Sequence, residues 1–228
     1  MKYKKTQQQL GINPDPNLYI DVRTKDGWYR RKKRPSGTPL NKAYSESNNA
    51  MKLSAPAASR LLNKLEPWLR ELEKGRILSK ISGGLRKRFL ETGRMDYAYL
   101  KNLDIQPAHK LSMLLRTSYH IDLSKNSATI KIQIRKNSLY LPKSIATHFF
   151  FEAIILWGNP MKERGLKVES EESKLYTLNK DVREECILSV NIPHQNEPWM
   201  LLLKVSCLAG NEMAHHPRHY ALKVIAIG

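Results

Sequence analysis

The densest chemistry in the chain is electrostatic. Arg30, Arg31, Lys32, Lys33 and Arg34 are five consecutive cations, and Trp28 and Tyr29 stand directly before them. Guanidinium and ammonium groups neutralise phosphates, and aromatic rings stack on bases, so the run reads as a nucleic-acid contact. On a strand, alternate side chains face opposite ways. Arg30, Lys32 and Arg34 then share one side, and Arg31 and Lys33 the other. A second cluster holds Arg86, Lys87 and Arg88, with Arg94 further on. A helix spreads three consecutive residues over roughly 200°, so with Arg76, Lys80 and Arg94 they make a broadly positive surface. The predicted nucleic-acid-binding set is Trp28, Arg30, Arg31, Lys32, Lys33, Arg34, Arg86, Lys87, Arg88 and Arg94. Two other readings stand beside it. The run is an arm that contacts an acidic protein in an assembly, or Trp28 and Tyr29 anchor a hairpin whose charges are merely solvated.

Other chemistries find less support. His215, His216 and His219 lie in "HHPRH", with Cys207 upstream. Zinc asks for four ligands at suitable spacing, and Pro217 points instead to a surface loop joining the last two strands. No metal or cofactor is expected. "GGLRKR" lacks the spacing of a phosphate-binding loop. "ESEES", residues 169–173, reads as a solvated turn with no partner carboxylates for glycosidase-type work. No G-x-S-x-G, H-E-x-x-H or kinase set occurs, so no enzyme is expected. A triad built from distant residues stays open, because triads are defined by geometry.

The elements that must carry these residues follow from periodicity. Residues 1–16 read as a flexible arm. "LYIDVRT" alternates Leu18, Ile20 and Val22 against Tyr19, Asp21 and Arg23, and Asp26-Gly27 then signals a tight turn into "WYRRKK". The basic run is thus the second strand of a hairpin. From about Asn41 the pattern turns helical, with Ala58, Leu61, Leu62, Leu65, Leu69 and Leu72 in one stripe. Pro56 and Pro67 predict short helices that break near them. Gly75 is a plausible stop. A further helix places Ile77, Ile81, Leu85 and Phe89 inward, weakened at Gly83 and Gly84. From about residue 109 seven strand-like runs follow without helices between them, the pattern of an antiparallel sandwich. In "TIKIQIRK", Ile130, Ile132 and Ile134 face one way and Lys131, Gln133 and Arg135 the other. "HFFFEAIILW" is apolar on both faces and so belongs at a sheet centre.

Bulk properties set the frame. The 228 residues are 41% hydrophobic and 26% charged, within the globular range. Two cysteines, Cys186 and Cys207, indicate buried reduced thiols and not a disulfide framework. The basic start has no apolar signal core, and no run nears the roughly 18 apolar residues of a membrane helix. A soluble cytoplasmic protein is expected. Net charge is +18. Residues 1–116 hold 25 Lys and Arg against 10 Asp and Glu, or +15, and residues 117–228 hold 14 against 11, or +3. The positive field belongs to the N-terminal half and calls for a polyanionic partner.

The order of features resembles a group of uncharacterised basic proteins of Bacteroidetes-type bacteria. "DGWYRRKK", "NKAYSESNNAMKLSAPAASRLL", "PKSIATHFFFEA" and "YALKVIAIG" carry the likeness, at Asn48-Asn49, Ala57-Ala58, Leu61-Leu62 and Ala146-Thr147-His148. Glu46-Ser47 stand where that group has Arg-Glu. The resemblance implies a bacterial or mobile-element origin and carries over no catalytic residue. The predicted fold is α+β, with an N-terminal β-hairpin and short helices followed by an antiparallel β-sandwich. Its parts are residues 1–16 (arm), 17–108 (hairpin and helices) and 109–228 (sandwich). The predicted role is non-catalytic nucleic-acid binding. The alternative is a structural component of a virion or secretion-related particle.

Overall fold

A strand that is apolar on both faces needs cover on both, and the computed structural model of the chain shows what supplies it. The structure describes residues 6, 10–25, 27–33, 42–73, 75–162, 164–180, 183–193 and 197–228. The contacts divide the chain into two units, Met1–Ser45 and Glu46–Gly228.

In the first unit, β1 (Tyr19–Thr24) and β2 (Gly27–Lys32) form an antiparallel hairpin with Asp21 opposite Arg30. Gly27 closes it at φ +116°, a conformation that costs a glycine little. Asp26 and Arg34 lie outside the described residues.

The second unit is built around β5 (His148–Gly158) and β9 (Trp199–Ala209), paired antiparallel over ten residue pairs. Outside β5 lie β6 (Leu166–Glu172) and β7 (Tyr176–Thr177), and outside β9 lie β10 (Glu212–Met213) and β11 (Tyr220–Ile227). A second antiparallel sheet runs β3 (Tyr119–Leu123), β4 (Ser127–Ile134), β8 (Glu184–Asn191). Odd residues of the central strands, such as Phe151, Ile155, Leu201 and Val205, share a core with Ile130, Ile132 and Leu188 of that sheet. Even residues, such as Ile154, Leu156, Met200 and Leu202, share another with Leu61, Leu65, Ile81 and Leu85 of the helices. The architecture is therefore three layers: helices, large sheet, small sheet. Alternation lets β11 serve both cores, with Leu222 and Val224 on one side and Ala221 and Ile225 on the other, and its register shifts between Val224 and Ala226.

The helices seal the large sheet and so belong to the same unit as its strands, Glu46–Gly228. Three expectations are corrected. The prolines do not break the first helix: α1 (Lys42–Leu69) runs through Pro56 and Pro67. Both prolines are exposed, as are Lys52 and Asn63 four residues before them, so water reaches the carbonyls that lose their partners. Three buried leucines, Leu61, Leu65 and Leu69, contribute roughly 2 kcal/mol each, which offsets an interior proline's cost of about 3 kcal/mol. "ESEES" is not a turn, since Glu169–Glu172 belong to the edge strand β6, although they are solvated. Leu111–Leu114, at the start of the first of the seven strand-like runs, "KLSMLLRTSYHIDL", is the single helical turn α3.

The remaining helix, α2 (Ile77–Thr92), buries Ile77, Ile81 and Leu85 as expected, and Gly93 ends it in the left-handed conformation, donating its N–H to Phe89 O. Gly84 packs closely: a Cβ there would lie 2.9 Å from Leu100 Cδ2 and 3.4 Å from Tyr99 O. Where α1 ends it is pinned by a buried charge cluster. Lys204 of β9 is 4% exposed and lies 3.3 Å from Glu71 and 3.6 Å from Glu152, while Trp68 Nε1 donates to Glu152 at 3.0 Å. Glu172 stands opposite Glu152, and burial, then its neighbour's charge, raises its pKa.

Candidate nucleic-acid interface

The hairpin register assigns every described cation of the basic run to a face. One face carries Tyr19, Asp21, Arg23, Trp28, Arg30 and Lys32, and the other Ile20, Val22, Tyr29 and Arg31. Lys33 donates its backbone N–H to Leu18 O, which extends the second face to Leu18 and Lys33. Arg30 and Lys32 thus share a side with Trp28, and Arg31 and Lys33 share the other, as the alternation predicts.

The two faces differ in electrostatics. Arg30 is occupied. Its Nε and Nη2 meet both Asp21 oxygens at 2.7 and 3.1 Å, and its terminal nitrogens donate to Ile12 O at 3.0 Å and Gly11 O at 2.9 Å. The Arg30 guanidinium holds the Asp21 carboxyl below the usual carboxylate range. Arg31, Lys32 and Lys33 are exposed and pair with no carboxylate among the described residues. Beside Arg31, Tyr29 is 46% exposed, Leu18 48% and Ile20 39%. Trp28 is half-buried.

The cations of α2 are mostly engaged inside the second unit. Arg86 donates to Ser47 Oγ of α1, and its Nε is buried without a partner. Lys87 lies 4.3 Å from the Tyr99 ring centre. Arg88 Nε meets both Asp96 oxygens at 2.9 and 2.8 Å. Arg94 is exposed and has no ion pair among the described residues. The structure therefore does not gather Arg86, Lys87, Arg88 and Arg94 into one free cationic patch.

Two features escaped the sequence reading. A cleft of about 880 Å³ opens at the C-terminal end of α2, between Phe89, Arg94 and Met95 on one side and Asn159, Lys162 and Glu197 on the other. Tyr97 braces it by donating to Gly158 O at 2.7 Å, and burial pushes its phenol well above the ordinary range. The second feature is His219, which the loop reading leaves on the surface. It is 2% exposed, in the 3-10 turn Pro217–His219, with Nε2 2.8 Å from Ser144 Oγ and Nδ1 buried without a partner. Burial, then Arg218 and His216, lowers its pKa. Among the described residues no carboxylate meets the ring, so these residues show a Ser144–His219 pair and no third member of a triad. Among the described residues no three His, Cys, Asp or Glu side chains are placed to hold a metal ion, and no helix is long and apolar enough to cross a membrane. Cys186 and Cys207 are buried and unbridged.

Compared with known proteins, the chain matches no family model and no curated sequence.

Proposed function

We propose that the chain binds nucleic acid without catalysis and with little sequence preference, through the hairpin face that carries Tyr29, Arg31 and Lys33. The observation that carries this reading is the contrast between the two faces. Asp21 neutralises Arg30 on one and leaves Arg23 and Lys32, while on the other Arg31 and Lys33 pair with no carboxylate among the described residues and stand beside the exposed Tyr29. Phosphate neutralisation needs uncommitted cations, and an exposed aromatic beside them offers a stacking surface. The lopsided charge of the chain supports the same partner class, and a cytoplasmic, bacterial setting accords with it. A second reading keeps the arm but changes the partner. Exposed Leu18 and Ile20 next to Arg31 suit an acidic protein surface in a larger assembly.

Titration of the full chain with duplex and single-stranded oligonucleotides at roughly 50 and 200 mM salt tests the proposal. Binding should weaken steeply with salt and vary little with sequence. Absence of binding at the lower salt, with capture of an acidic protein by the same face, would favour the assembly reading.

A further inference from the structure

We propose that the cleft at the C-terminal end of α2 binds a nucleoside monophosphate group, either a free nucleotide or an unpaired strand end. This does not rest on the hairpin reading, because every lining residue belongs to the second unit.

Size comes first. A volume of about 880 Å³ lies within the range of small-molecule sites. The charges then select the anion. Arg94 and Lys162 line the cleft, both exposed and neither ion-paired among the described residues. Arg88 is fixed by Asp96, whose Oδ1 also accepts the Ala98 N–H at 3.0 Å. Among the described residues Arg88 is engaged through its Nε, and its two terminal nitrogens make no hydrogen bond there, which leaves donors for a ligand. Against these cations stand Asp96, neutralised by Arg88, Glu197, and the partial negative charge of about one half at a helix C-terminus. Among the described lining residues Arg94 and Lys162 outnumber the one free acid, Glu197, so a single phosphate of about −1.5 to −2 charge is favoured over the larger charge of a triphosphate.

The rest of the wall fits the other half of such a ligand. Phe89, Met95 and Ile227 give an apolar side against which a base can lie. Glu197 is an acceptor for a ribose hydroxyl or an exocyclic amine. The frame is held in advance of binding. Arg60 donates to Pro160 O and Met161 O, both at 3.2 Å, and Asn159 Oδ1 accepts the Met161 N–H at 2.8 Å. Gly158 holds φ +106°, and a side chain there would run into the Gly165 carbonyl. Walls fixed this way lose little entropy on binding.

The test uses the full chain and adenosine monophosphate as the probe, followed by calorimetry and by backbone amide NMR shifts. Expected is saturable binding that moves the Arg94, Met95 and Lys162 amides. R94Q/K162Q should weaken it tenfold or more, the scale of one lost charge-assisted hydrogen bond. R31Q/K33Q should leave it unchanged, which separates this site from the hairpin. Inorganic phosphate and adenosine should each bind more weakly. No saturation by millimolar nucleotide overturns the proposal. So does binding indifferent to R94Q/K162Q, or phosphate alone binding as well as the nucleotide. A 5′-phosphorylated oligonucleotide, competed against the nucleotide on R31Q/K33Q, identifies the source. Competition assigns a strand end and its absence a free nucleotide, and either result upholds the site.

Discussion

The hairpin and α2 use the same residue types in opposite ways. In α2 three consecutive cations each find an internal partner: Arg86 a serine of α1, Lys87 a tyrosine ring, Arg88 an aspartate. In the hairpin run only Arg30 does among the described residues, and Arg31, Lys32 and Lys33 pair with no described carboxylate. A run of basic residues on a layered body is drawn into holding the layers, because neighbours on several sides offer acceptors. On a two-stranded ribbon there is one opposite residue per position, and an acid stands opposite only one of these cations. Charge in the sequence is therefore a poor guide to charge available to a ligand until the neighbours are known.

The most severe way to strain this contrast is to remove the layers. A fragment of residues 109–228 would uncover Ile154, Leu156, Met200, Leu202 and Leu222. We expect it to aggregate or to unfold without cooperativity, whereas residues 42–228 should give one sharp calorimetric transition. A well-folded 109–228 fragment would show that the helical layer is dispensable.

Next in size is K204M. Removing this ammonium leaves Glu71 and Glu152 without their cation, and breaking a buried pair costs about 3 kcal/mol or more. Urea unfolding measures it, and a loss below 1 kcal/mol would mean that the cluster is effectively hydrated.

His219 contributes a smaller, pH-dependent effect. Burial lowers its folded pKa below the unfolded value near 6.5, so the unfolded chain binds more protons in that range. Its contribution is complete above about pH 6.5 and is lost as the pH falls. The charges of Arg218, His216 and His109 work in the same direction, opposed in part by a backbone hydrogen bond with His216. Denaturation midpoints at two pH values should therefore differ more for the native chain than for H219Q, and equal differences would assign the acid sensitivity elsewhere.

The finest comparison is within the hairpin. R31Q/K33Q should lower the salt slope of duplex binding by roughly 0.9 per lost contact, while R30Q should barely move it. R31Q/K33Q should not shift thermal stability of the whole chain by more than about 0.5 kcal/mol per residue, because neither side chain is engaged among the described residues. If R30Q proves the more damaging for binding, the Asp21 side of the ribbon is the one in contact.

Much of the fold was legible because its signals are local. Ile130, Ile132 and Ile134 announce a one-sided strand, and "HFFFEAIILW" a central one. What misled was an energy with a distant source. The proline penalty is local and visible at positions 56 and 67, but the burial that overrides it comes from strands about a hundred residues away. β6 escaped because both faces of its end are solvated, residues 169–172 being exposed in succession, which removes the alternation after Val168. The internal use of Arg30 could have been read from the turn, which sets Asp21 opposite it. The Arg88–Asp96 pair could not, since the chain must reverse at Gly93 to bring the two together. Lys204 inside "LLLKVS" was a visible anomaly whose counter-charges lie on other elements.

The prolines of α1 also bear on the order in which the chain assembles. Proline has no N–H, and it pushes the residue before it, here Ala55 and Glu66, away from helical angles. An isolated 28-residue segment so interrupted should show little helix in water, since nucleation must succeed separately on each side of the interruption. The first helix then cannot serve as an early template. It completes only when the even-numbered residues of β5 and β9 offer their apolar surface, so the pairing of two strands some 50 residues apart along the chain must precede it. Such distant pairing is slow, and helical signal from α1 should appear with strand formation and not ahead of it.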